Sequence, residues 1–397
     1  MSARLFLVLA FSAMVLAGPF ANADPVINLY AADVRVHDQS AATRASALKD
    51  ALAQVLVKVA GSQAVLETSE AAALLENPAS LLQRYRYEAV KPVPEDPEAA
   101  RLLLLAEFDG GAIEQRLRAA GLPLWGRERP LTLAWVAFSN DGERRLIGRD
   151  PTDPIVDALQ RAASRRGLPL VLPKMDAEDA TSVSFMDVWG IYEDPLLAAA
   201  ARYSPDAVFV GSIFEAGDQL WAGRWTLLRD GERQQRFELS GASPDEVAVA
   251  AIDALAEQYG QEFAVLTAMT TGSRVAVEIE GVDRLQDYAK VQSYLSGLSA
   301  VKQVGLKQVD DNRARYELDL NSSVRALEQS IALGRVLEAV PMESVPVQEE
   351  IVVTLGEVNN ETGVTSSATE STSPDLTGME SPVMTPRLPV LHYRLRQ

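Results

Sequence analysis

The chain has 397 residues, no cysteine, two histidines and a formal net charge of −18. Without cysteine it forms no disulfide and carries no lipid on a thiol, and two histidines leave little material for imidazole catalysis or for a zinc or copper site. The excess of acidic residues repels phosphate backbones, so nucleic acid is not expected as a partner.

The first 23 residues have the pattern of a cleavable export signal. Arg4 gives a positive start, residues 5–17 are an apolar run, and Ala21 and Ala23 supply the small residues needed for cleavage. The alternative is a membrane anchor, but a spanning helix needs about 20 apolar residues. We expect cleavage after Ala23 and a periplasmic mature protein. No later run is long enough to predict an integral membrane span.

Residues 24–125 are predicted to form an N-terminal α+β module. A strand at 29–36 is followed by Ser40 as helix N-cap, and apolar residues recur at helical spacing up to Gly61, a left-handed C-cap. The later segments are a short helix at 69–76, strands around 84–87 and 102–108, and a helix that begins at Asp109 and stops at Gly121. The main order is strand, helix, strand, strand, helix.

Residues 130–269 are predicted to form a central mixed α/β domain. A strand at 131–138, a helix from Asp153 to Gly167 and a strand at 168–172 come first. Turn residues then separate three alternating strands at 207–213, 219–228 and 233–239, which predicts an antiparallel meander. Ser243 begins a closing helix that reaches about residue 258.

Residues 272–340 are predicted to form a C-terminal α+β module with the order of the first. A strand at 274–279, a helix capped by Asp283 and strands at 301–309 and 313–320 precede a last helix. Gly334 lies on the apolar stripe of that helix, where it would allow close packing. The predicted class is therefore α+β, with two small strand-helix-strand-strand-helix modules flanking a larger mixed α/β centre.

Two further segments follow the C-terminal module. Residues 343–387 contain a stretch rich in Ser, Thr, Glu and Asn, which predicts a disordered linker. Residues 388–397 regain the composition of a strand. This strand would pair with the sheet of its own chain or with the edge of another protein, and the sequence leaves both open, with the first favoured.

Few residues of the chain have a pattern typical of catalysis or of ligand binding. His37 and His392 lie near opposite ends, and the glycine-rich phosphate loops and the serine hydrolase elbow are absent from the sequence. The remaining candidates are acidic residues near helix starts: Asp150, Asp153, Asp176, Glu178 and Asp179. Paired acids suit glycoside hydrolysis, but such clusters are more often helix caps or solvated surface. No catalytic, cofactor-binding or metal-binding residue is assigned, and no cofactor is expected.

Two aromatic stripes offer a different indication. Trp221, Gly223, Trp225 and Leu227 share one face of a predicted strand, and Tyr85 shares a face of another strand with residue 87. Such stripes usually lie in a core, and a recognition surface is the alternative. Arginines 84 and 86, on the opposite face from the tyrosines, are expected to be solvated.

These patterns together resemble those of an uncharacterised bacterial exported family, domain of unknown function 2066. The resemblance is carried by the exported start and by the segments 34–36, 38–40, 44–52, 55–61, 85–87, 281–295 and 327–337. These are core and capping patterns, so the resemblance implies no reaction and no functional residue.

The leading hypothesis is a periplasmic, non-enzymatic binding or scaffold protein of the bacterial envelope. Its partner would be another envelope protein or component. One alternative is a carboxylate-based hydrolase of envelope polysaccharide. The other is a small-molecule binding protein, with its site between the central domain and a flanking module.

Overall fold

The computed structural model describes residues 28–90, 102–217, 220–229, 231–266, 273–310, 312–340 and 388–396. The chain divides into two compact units, Met1–Met269 and Thr270–Gln397. Both units combine helices with antiparallel or mixed sheets, so the predicted α+β class is confirmed. The predicted signal peptide, residues 1–23, and the predicted disordered linker, residues 343–387, lie outside the described residues.

The N-terminal part of the first unit is a three-stranded sheet packed against a long helix. Its elements are β1 (Ala31–Val36), α1 (Ala41–Ala60), α2 (Ser69–Glu76), β2 (Leu82–Ala89), β3 (Leu102–Phe108) and α3 (Gly110–Ala119). The strand order is β1-β3-β2, and both pairings are antiparallel. Strand β1 therefore has one edge that none of the described strands covers.

Helix α1 begins and ends as its sequence predicts. Ser40 Oγ accepts a hydrogen bond from Thr43 N, and Gly61 adopts φ +80° with its N–H bonded to Val57 O. The buried face carries seven small or aliphatic side chains, which are Ala47, Leu48, Ala51, Leu52, Val55, Leu56 and Val59. Because each fully buried leucine or valine contributes about 1.5–3 kcal/mol, this face holds the sheet and the helix together.

The rest of the first unit is a mixed sheet with helices on both faces. Its elements are β4 (Pro123–Leu124), β5 (Thr132–Asn140), β6 (Glu143–Ile147), α4 (Pro154–Arg166), β7 (Leu170–Val171), α5 (Ala177–Ser182), α6 (Phe185–Gly190), α7 (Glu193–Ala200), β8 (Ala207–Gly217), β9 (Leu220–Arg229), β10 (Glu232–Gly241), α8 (Pro244–Phe263) and β11 (Val265–Leu266). The main sheet has the order β10-β9-β8-β5-β6, with β7 beside β5. Strands β5 and β8 are parallel, and β8, β9 and β10 form the predicted meander.

Strand β5 is buried on both faces. Ala134 and Val136 belong to the core under α4 and α8, whereas Leu133 and Trp135 belong to the core under α5, α6 and α7. A strand covered on both sides needs apolar residues at successive positions, which explains why its sequence does not alternate.

The tryptophan stripe of β9 lies in the core, so the core interpretation is confirmed there. Trp225 is fully buried in the cluster that includes α8, and Trp221 packs against the same cluster. A Cβ atom at Gly211 would lie 2.1 Å from the Trp225 ring, and one at Gly223 would lie 2.5 Å from Val247. Glycine is therefore needed at both positions for the ring and the helix to pack.

One strand and three short helices of the first unit are among the elements that the sequence patterns do not indicate. Strand β6 returns from β5 through Asp141 (φ 42°) and Gly142 (φ 89°), a turn typical of a two-residue hairpin. Helices α5, α6 and α7 have only six to eight residues each, so no apolar period can develop in them.

A buried arginine joins the two parts of this unit. The five N–H groups of Arg129 all donate to backbone carbonyl oxygens, those of Lys58, Trp125, Gly126, Arg166 and Gly167. Several of these carbonyls are at the C-terminal ends of α1 and α4, where the helix dipole is negative and favours a cation. The division into two domains, residues 24–125 and 130–269, that fold independently of each other stays a prediction.

The second unit repeats the predicted order of strand, helix, strand, strand, helix. Its elements are β12 (Arg274–Glu280), α9 (Leu285–Gly297), β13 (Val301–Asp310), β14 (Arg313–Leu320), α10 (Val324–Leu333), β15 (Leu337–Ala339) and β16 (Val390–Leu395). The sheet order is β13-β14-β12-β16-β15. The C-terminal strand β16 thus lies inside the sheet of its own chain, parallel to β12 and antiparallel to β15.

Two details of this unit concern predictions made from single residues. The predicted N-cap Asp283 is wrong by one residue: Arg284 is the N-cap, and its N–H donates to Asp287 Oδ2 at 3.0 Å. The acidic side chain of Asp287, in the first turn of the helix, accepts this hydrogen bond from the N-cap residue that precedes it. The close packing predicted at Gly334 is confirmed, since a Cβ atom there would lie 1.8 Å from Tyr294 Oη.

Within the part of the chain that the structure describes, no helix combines the length and apolarity needed to cross a membrane.

Candidate functional site

Three of the acidic candidates lie together around one arginine. Arg202 Nη1 is 2.8 Å from Asp176 Oδ1 and 2.8 Å from Asp179 Oδ1, and Arg202 Nη2 is 3.2 Å from Glu178 Oε2. The guanidinium also lies over the Tyr203 ring, 5.3 Å from its centroid. We refer to these five residues as the Arg202 cluster.

The carboxylates of the Arg202 cluster are engaged in holding the fold. Asp179 is fully buried, and its Oδ2 accepts hydrogen bonds from Met175 N at 2.9 Å and from the Tyr203 hydroxyl at 2.5 Å. Asp176 caps α5 by accepting from Asp179 N at 3.2 Å. The cluster therefore fastens α5 to the turn that precedes β8.

The electrostatics of the cluster do not suit a general acid. The hydrogen bond from Arg202 holds the pKa of Asp176 well below its usual range, whereas a catalytic acid needs a raised pKa. Burial, together with the hydrogen bond to Asp179, raises the pKa of Tyr203 to about 12. Asp176 thus stays ionised and Tyr203 stays neutral at physiological pH.

The other two acidic candidates have separate local roles. Asp150 Oδ1 accepts from Thr152 N at 2.9 Å and from the Thr152 hydroxyl at 2.7 Å. Asp153 caps α4 by accepting from Ile155 N at 3.0 Å, and it also pairs with Arg145. Among the described residues, no hydrogen bond or ion pair joins this pair to the Arg202 cluster.

The two histidines lie in different units of the chain. His37 is exposed between β1 and α1. His392 lies on β16, with its Nδ1 3.5 Å from Glu278 Oε2. Nowhere in the described ranges do three His, Cys, Asp or Glu residues form a group that could hold a metal ion.

The tyrosine stripe of β2 is only partly in a core. Tyr87 packs against the N-terminal core, but Tyr85 is 43% exposed and lies beside Arg44, whose guanidinium is 5.8 Å from the ring centroid. Arg84 and Arg86 are exposed, as predicted, and pair with neighbouring glutamates. The core interpretation is therefore wrong for Tyr85.

A larger aromatic cluster lies on the central sheet, on the face that carries α6. Its contacting rings and guanidinium groups are those of Phe185, Trp189, Phe214, Arg144 and Arg224, and the exposed Met186 and Tyr192 are their neighbours along the chain. We call it the aromatic–arginine surface. The rings of Phe185 and Trp189 stack with centroids 5.5 Å apart, and Trp189 meets Phe214 edge to face at 5.6 Å. Such geometries add about 0.5–1.5 kcal/mol per pair beyond burial.

Two guanidinium groups cover these rings. Arg224 lies 5.3 Å from the centroids of both Trp189 and Phe214, and Arg144 lies 6.0 Å from that of Phe185. Neither arginine has a carboxylate within ion-pair distance in the part of the chain that the structure describes. Among the described residues, ring faces are what balances their positive charges, together with solvent.

Sheet register and helix capping bring this surface together. Residues paired across strands share a face, and Phe214 pairs with Ser139, which pairs with Arg144 on β6. Ser184 and Asp187 form a capping box that begins α6 and sets its orientation. Phe214 lies near the carboxyl ends of the parallel strands β5 and β8, the edge where open α/β sheets usually bind ligands.

The surface is accessible to a partner. Met186 is 53% exposed and Tyr192 is 55% exposed, while the rings of Phe185, Trp189 and Phe214 are half-buried. Trp, Tyr, Met and Arg are the residue types that protein interfaces favour. No sequence pattern described above predicts this surface. The motif Ser184-x-x-Asp187 beside three aromatic residues was the available signal for α6.

Comparison with protein families gives one match. Residues 23–126 match the model of a family described as "Domain of unknown function (DUF8605)". The match supports an uncharacterised domain in the N-terminal part of the chain. It is not the family numbered 2066 that the sequence resembles, so that resemblance stays a prediction.

Comparisons with whole proteins add little. No curated protein matches the chain. Among solved structures, the chain is similar to the lipoprotein GNA1162 from Neisseria meningitidis, at 13% identity and a TM-score of 0.21, over 33% of this chain and 96% of that one. A similarity at this level carries no argument about fold or function.

Proposed function

We propose that this protein is exported to the bacterial periplasm and binds another protein of the cell envelope, acting as a binding or scaffold protein rather than by catalysis. The observation that carries the proposal is the aromatic–arginine surface. The export signal predicted in residues 1–23 supports the compartment, and the resemblance to an exported bacterial family is consistent with it.

The energetics of the surface favour a protein partner. Few interface residues contribute most of the binding free energy, and tryptophan, tyrosine and arginine are the commonest of them, each contributing about 2 kcal/mol or more. Here Trp189 is stacked and covered by Arg224 before any partner binds. Because the side chains are already ordered, little conformational entropy is lost on association.

The charge of the surface indicates what the partner presents. The chain as a whole is acidic, at −18, yet the aromatic–arginine surface carries two arginines without carboxylate partners among the described residues. A partner with apolar side chains flanked by one or two carboxylates would complement it. Planar guanidinium groups bind carboxylates through two parallel hydrogen bonds.

The observed contacts do not favour the hydrolase alternative. It requires two acids free to exchange protons at a substrate, whereas Asp176, Asp179 and Asp153 each cap a helix or bind an arginine. Replacing these residues should therefore alter stability rather than an activity.

Site-specific photo-crosslinking in intact cells tests the proposal. A photoreactive phenylalanine derivative is placed at Met186 or at Tyr192, and Leu285, which is 86% exposed, serves as the control position. We expect one adduct of defined mass at positions 186 and 192 and none of that mass at 285. The same adducts at all three positions, or none at 186 and 192, would contradict the proposal.

Export is tested separately by mass spectrometry of the protein purified from its native host. A mature chain that begins at Asp24 in the periplasmic fraction is the expected result. A chain that retains residues 1–23 in the cytoplasmic fraction would remove the basis for an envelope partner while leaving the binding surface itself intact.

A further inference from the structure

A cavity of about 360 Å³ lies beside the uncovered edge of β1, between the N-terminal part of the first unit and α4. Its walls are largely apolar and are formed by Leu105, Leu168, Leu170 and Ala163. Its rim is polar, with side chains such as Gln160 and Ser164 exposed on α4. The cavity is separate from the aromatic–arginine surface and shares no residue with it.

The cavity is also lined by a buried cation. Lys58 is 5% exposed, although it lies on the apolar face of α1 between Val57 and Val59. Its Nζ donates to Ala31 O at 2.7 Å. An ammonium group has three donors, and among the described residues the bond to Ala31 O is the one hydrogen bond that the Lys58 ammonium makes. A buried charge normally has a partner of opposite sign, and here no carboxylate lies within ion-pair distance in the described ranges.

The surroundings make the interior of this region positive. Arg129 lies next to Lys58, and its donors are all used by backbone carbonyls rather than by a carboxylate. Burial lowers the pKa of Lys58 to about 8, the nearby Asp33 partly opposes this shift, and Arg129 adds to it. Burial also lowers the pKa of Arg129, to about 9. Both groups remain protonated at neutral pH, so an anion in the cavity would be stabilised.

The groove continues from the cavity along β1 to further cations. Asp33 and Ser164 line both the cavity and a neighbouring groove of about 350 Å³, which is also lined by Arg35, Arg161 and Arg165. Arg35 and Arg165 have no ion pair among the residues that the structure describes. This entrance would attract anions over a distance of about one Debye length, ~8 Å at physiological ionic strength.

The edge of β1 is not free to accept a peptide strand. A strand that adds to a sheet must bond the outward backbone groups of the edge strand. Two of these groups are already occupied, because Lys58 donates to Ala31 O and Gln54 Nε2 donates to Asp33 O at 3.4 Å. A small ligand fits the cavity better than an extended peptide does.

We propose that this cavity binds a small amphiphilic molecule that carries one carboxylate. The carboxylate oxygens accept hydrogen bonds from Lys58 Nζ, and the hydrocarbon part lies on Leu105, Leu168 and Leu170. A monoanion is favoured over a phosphate dianion, because Asp33 on the rim repels additional negative charge. Charge-assisted bonds to Lys58 set the orientation, and apolar contact supplies the rest of the affinity.

Isothermal titration calorimetry of the full mature chain tests this assignment. The probe is octanoate, with octanol as the uncharged analogue and inorganic phosphate as the free anion. We expect saturable 1:1 binding of octanoate, and binding of octanol and phosphate at least about tenfold weaker. Octanol lacks the charge that the hydrogen bond to Lys58 requires, and phosphate lacks the hydrocarbon part that packs on the leucines. Phosphate binding as tight as octanoate binding would overturn the carboxylate assignment.

Three variants locate the binding. Lys58→Met removes the charge and keeps the side-chain length, and Ser164→Tyr narrows the entrance while leaving Lys58 in place. Lys49→Met, an exposed lysine on the same helix, is the matched control. Each of the first two changes should weaken octanoate binding at least about tenfold, and the control should not change it.

Other outcomes would overturn the proposal. If octanoate fails to bind the unaltered protein, or binds Ser164→Tyr as tightly as the unaltered chain, the cavity is not the site. If Lys58→Met fails to fold, Ser164→Tyr still decides the question, because its substitution lies on an exposed position of α4. None of these results depends on the partner of the aromatic–arginine surface.

Discussion

Two arginines of the first unit have the same distance to an aromatic ring and opposite surroundings. Arg202 lies 5.3 Å from the Tyr203 centroid, and Arg224 lies 5.3 Å from the Trp189 centroid. Arg202 binds three carboxylates, whereas Arg224 binds none among the described residues. An arginine with all its partners inside the chain stabilises the fold, and one that lacks them is available to another molecule.

The same comparison separates two kinds of aromatic residue. Tyr203 is buried and donates to Asp179 at 2.5 Å. The rings around Arg224 are half-buried, and the neighbouring Met186 and Tyr192 are exposed. Ring and guanidinium contacts alone therefore do not identify a binding surface. The two arginines differ in whether a carboxylate of the chain binds the guanidinium, and this difference distinguishes the binding surface from the cluster that holds the fold.

The largest effect is expected from Asp179→Ala. The change leaves Tyr203, Met175 N and Arg202 without their shared acceptor in a buried position, and removing one member of a buried ion pair costs about 3–5 kcal/mol. Urea unfolding measures the free energy. Glu178→Ala, whose side chain is 66% exposed, is the control and should change it by less than about 0.5 kcal/mol. Equal losses in both variants would mean that the Arg202 cluster is not a buried network.

A smaller effect distinguishes the two arginines directly. Arg202→Ala should lower the free energy of unfolding by about 2 kcal/mol, because Asp179 stays buried without its cation. Arg224→Ala should lower it by about 0.5 kcal/mol, the contribution of an exposed cation–π contact. Thermal and urea unfolding of both variants give the comparison. A loss for Arg224→Ala as large as that for Arg202→Ala would place Arg224 among the residues that hold the fold.

The smallest expected effect is on the free energy of unfolding at low pH. The pKa of Asp176 in the folded chain is depressed by Arg202, so its contribution to stability is fully present above the unfolded pKa of about 4 and is lost as the pH falls through the folded pKa. As the pH falls below 4, the free energy of unfolding should therefore decrease less for Asp176→Asn than for the unaltered chain. The unfolding free energy at pH 7, 4 and 3 checks this. Parallel curves for the two proteins would contradict it.

Local sequence signals predicted much of this fold. Ser40, Gly61, Gly167 and Ser243 mark helix ends in the sequence and in the structure, because capping depends on residues close along the chain. The meander of β8, β9 and β10 was also predictable from alternation and turns. Helices α5 to α7 were not, since six to eight residues are too few for a period to emerge.

The two candidate sites depend on contacts that no local pattern records. The aromatic–arginine surface combines residues of α6, β6, β8 and β9, and only sheet register shows that Arg144 and Phe214 share a face. The cavity residue Lys58 had a visible signal, a charge within an apolar helix face, but its surroundings come from α4 and β1. The position of β16 was likewise left open by the sequence.

The yield of the Met186 crosslink in cells that carry an arginine variant tests most directly whether the aromatic–arginine surface binds the partner. Arg224→Ala is compared with Arg116→Ala, an exposed arginine on α3, at equal protein levels. We predict that Arg224→Ala reduces the adduct at least about fivefold, as expected for the loss of roughly 1 kcal/mol or more of interface free energy, and that Arg116→Ala does not. An unchanged adduct in Arg224→Ala, or equal losses in both variants, would contradict the claim that this surface binds the partner.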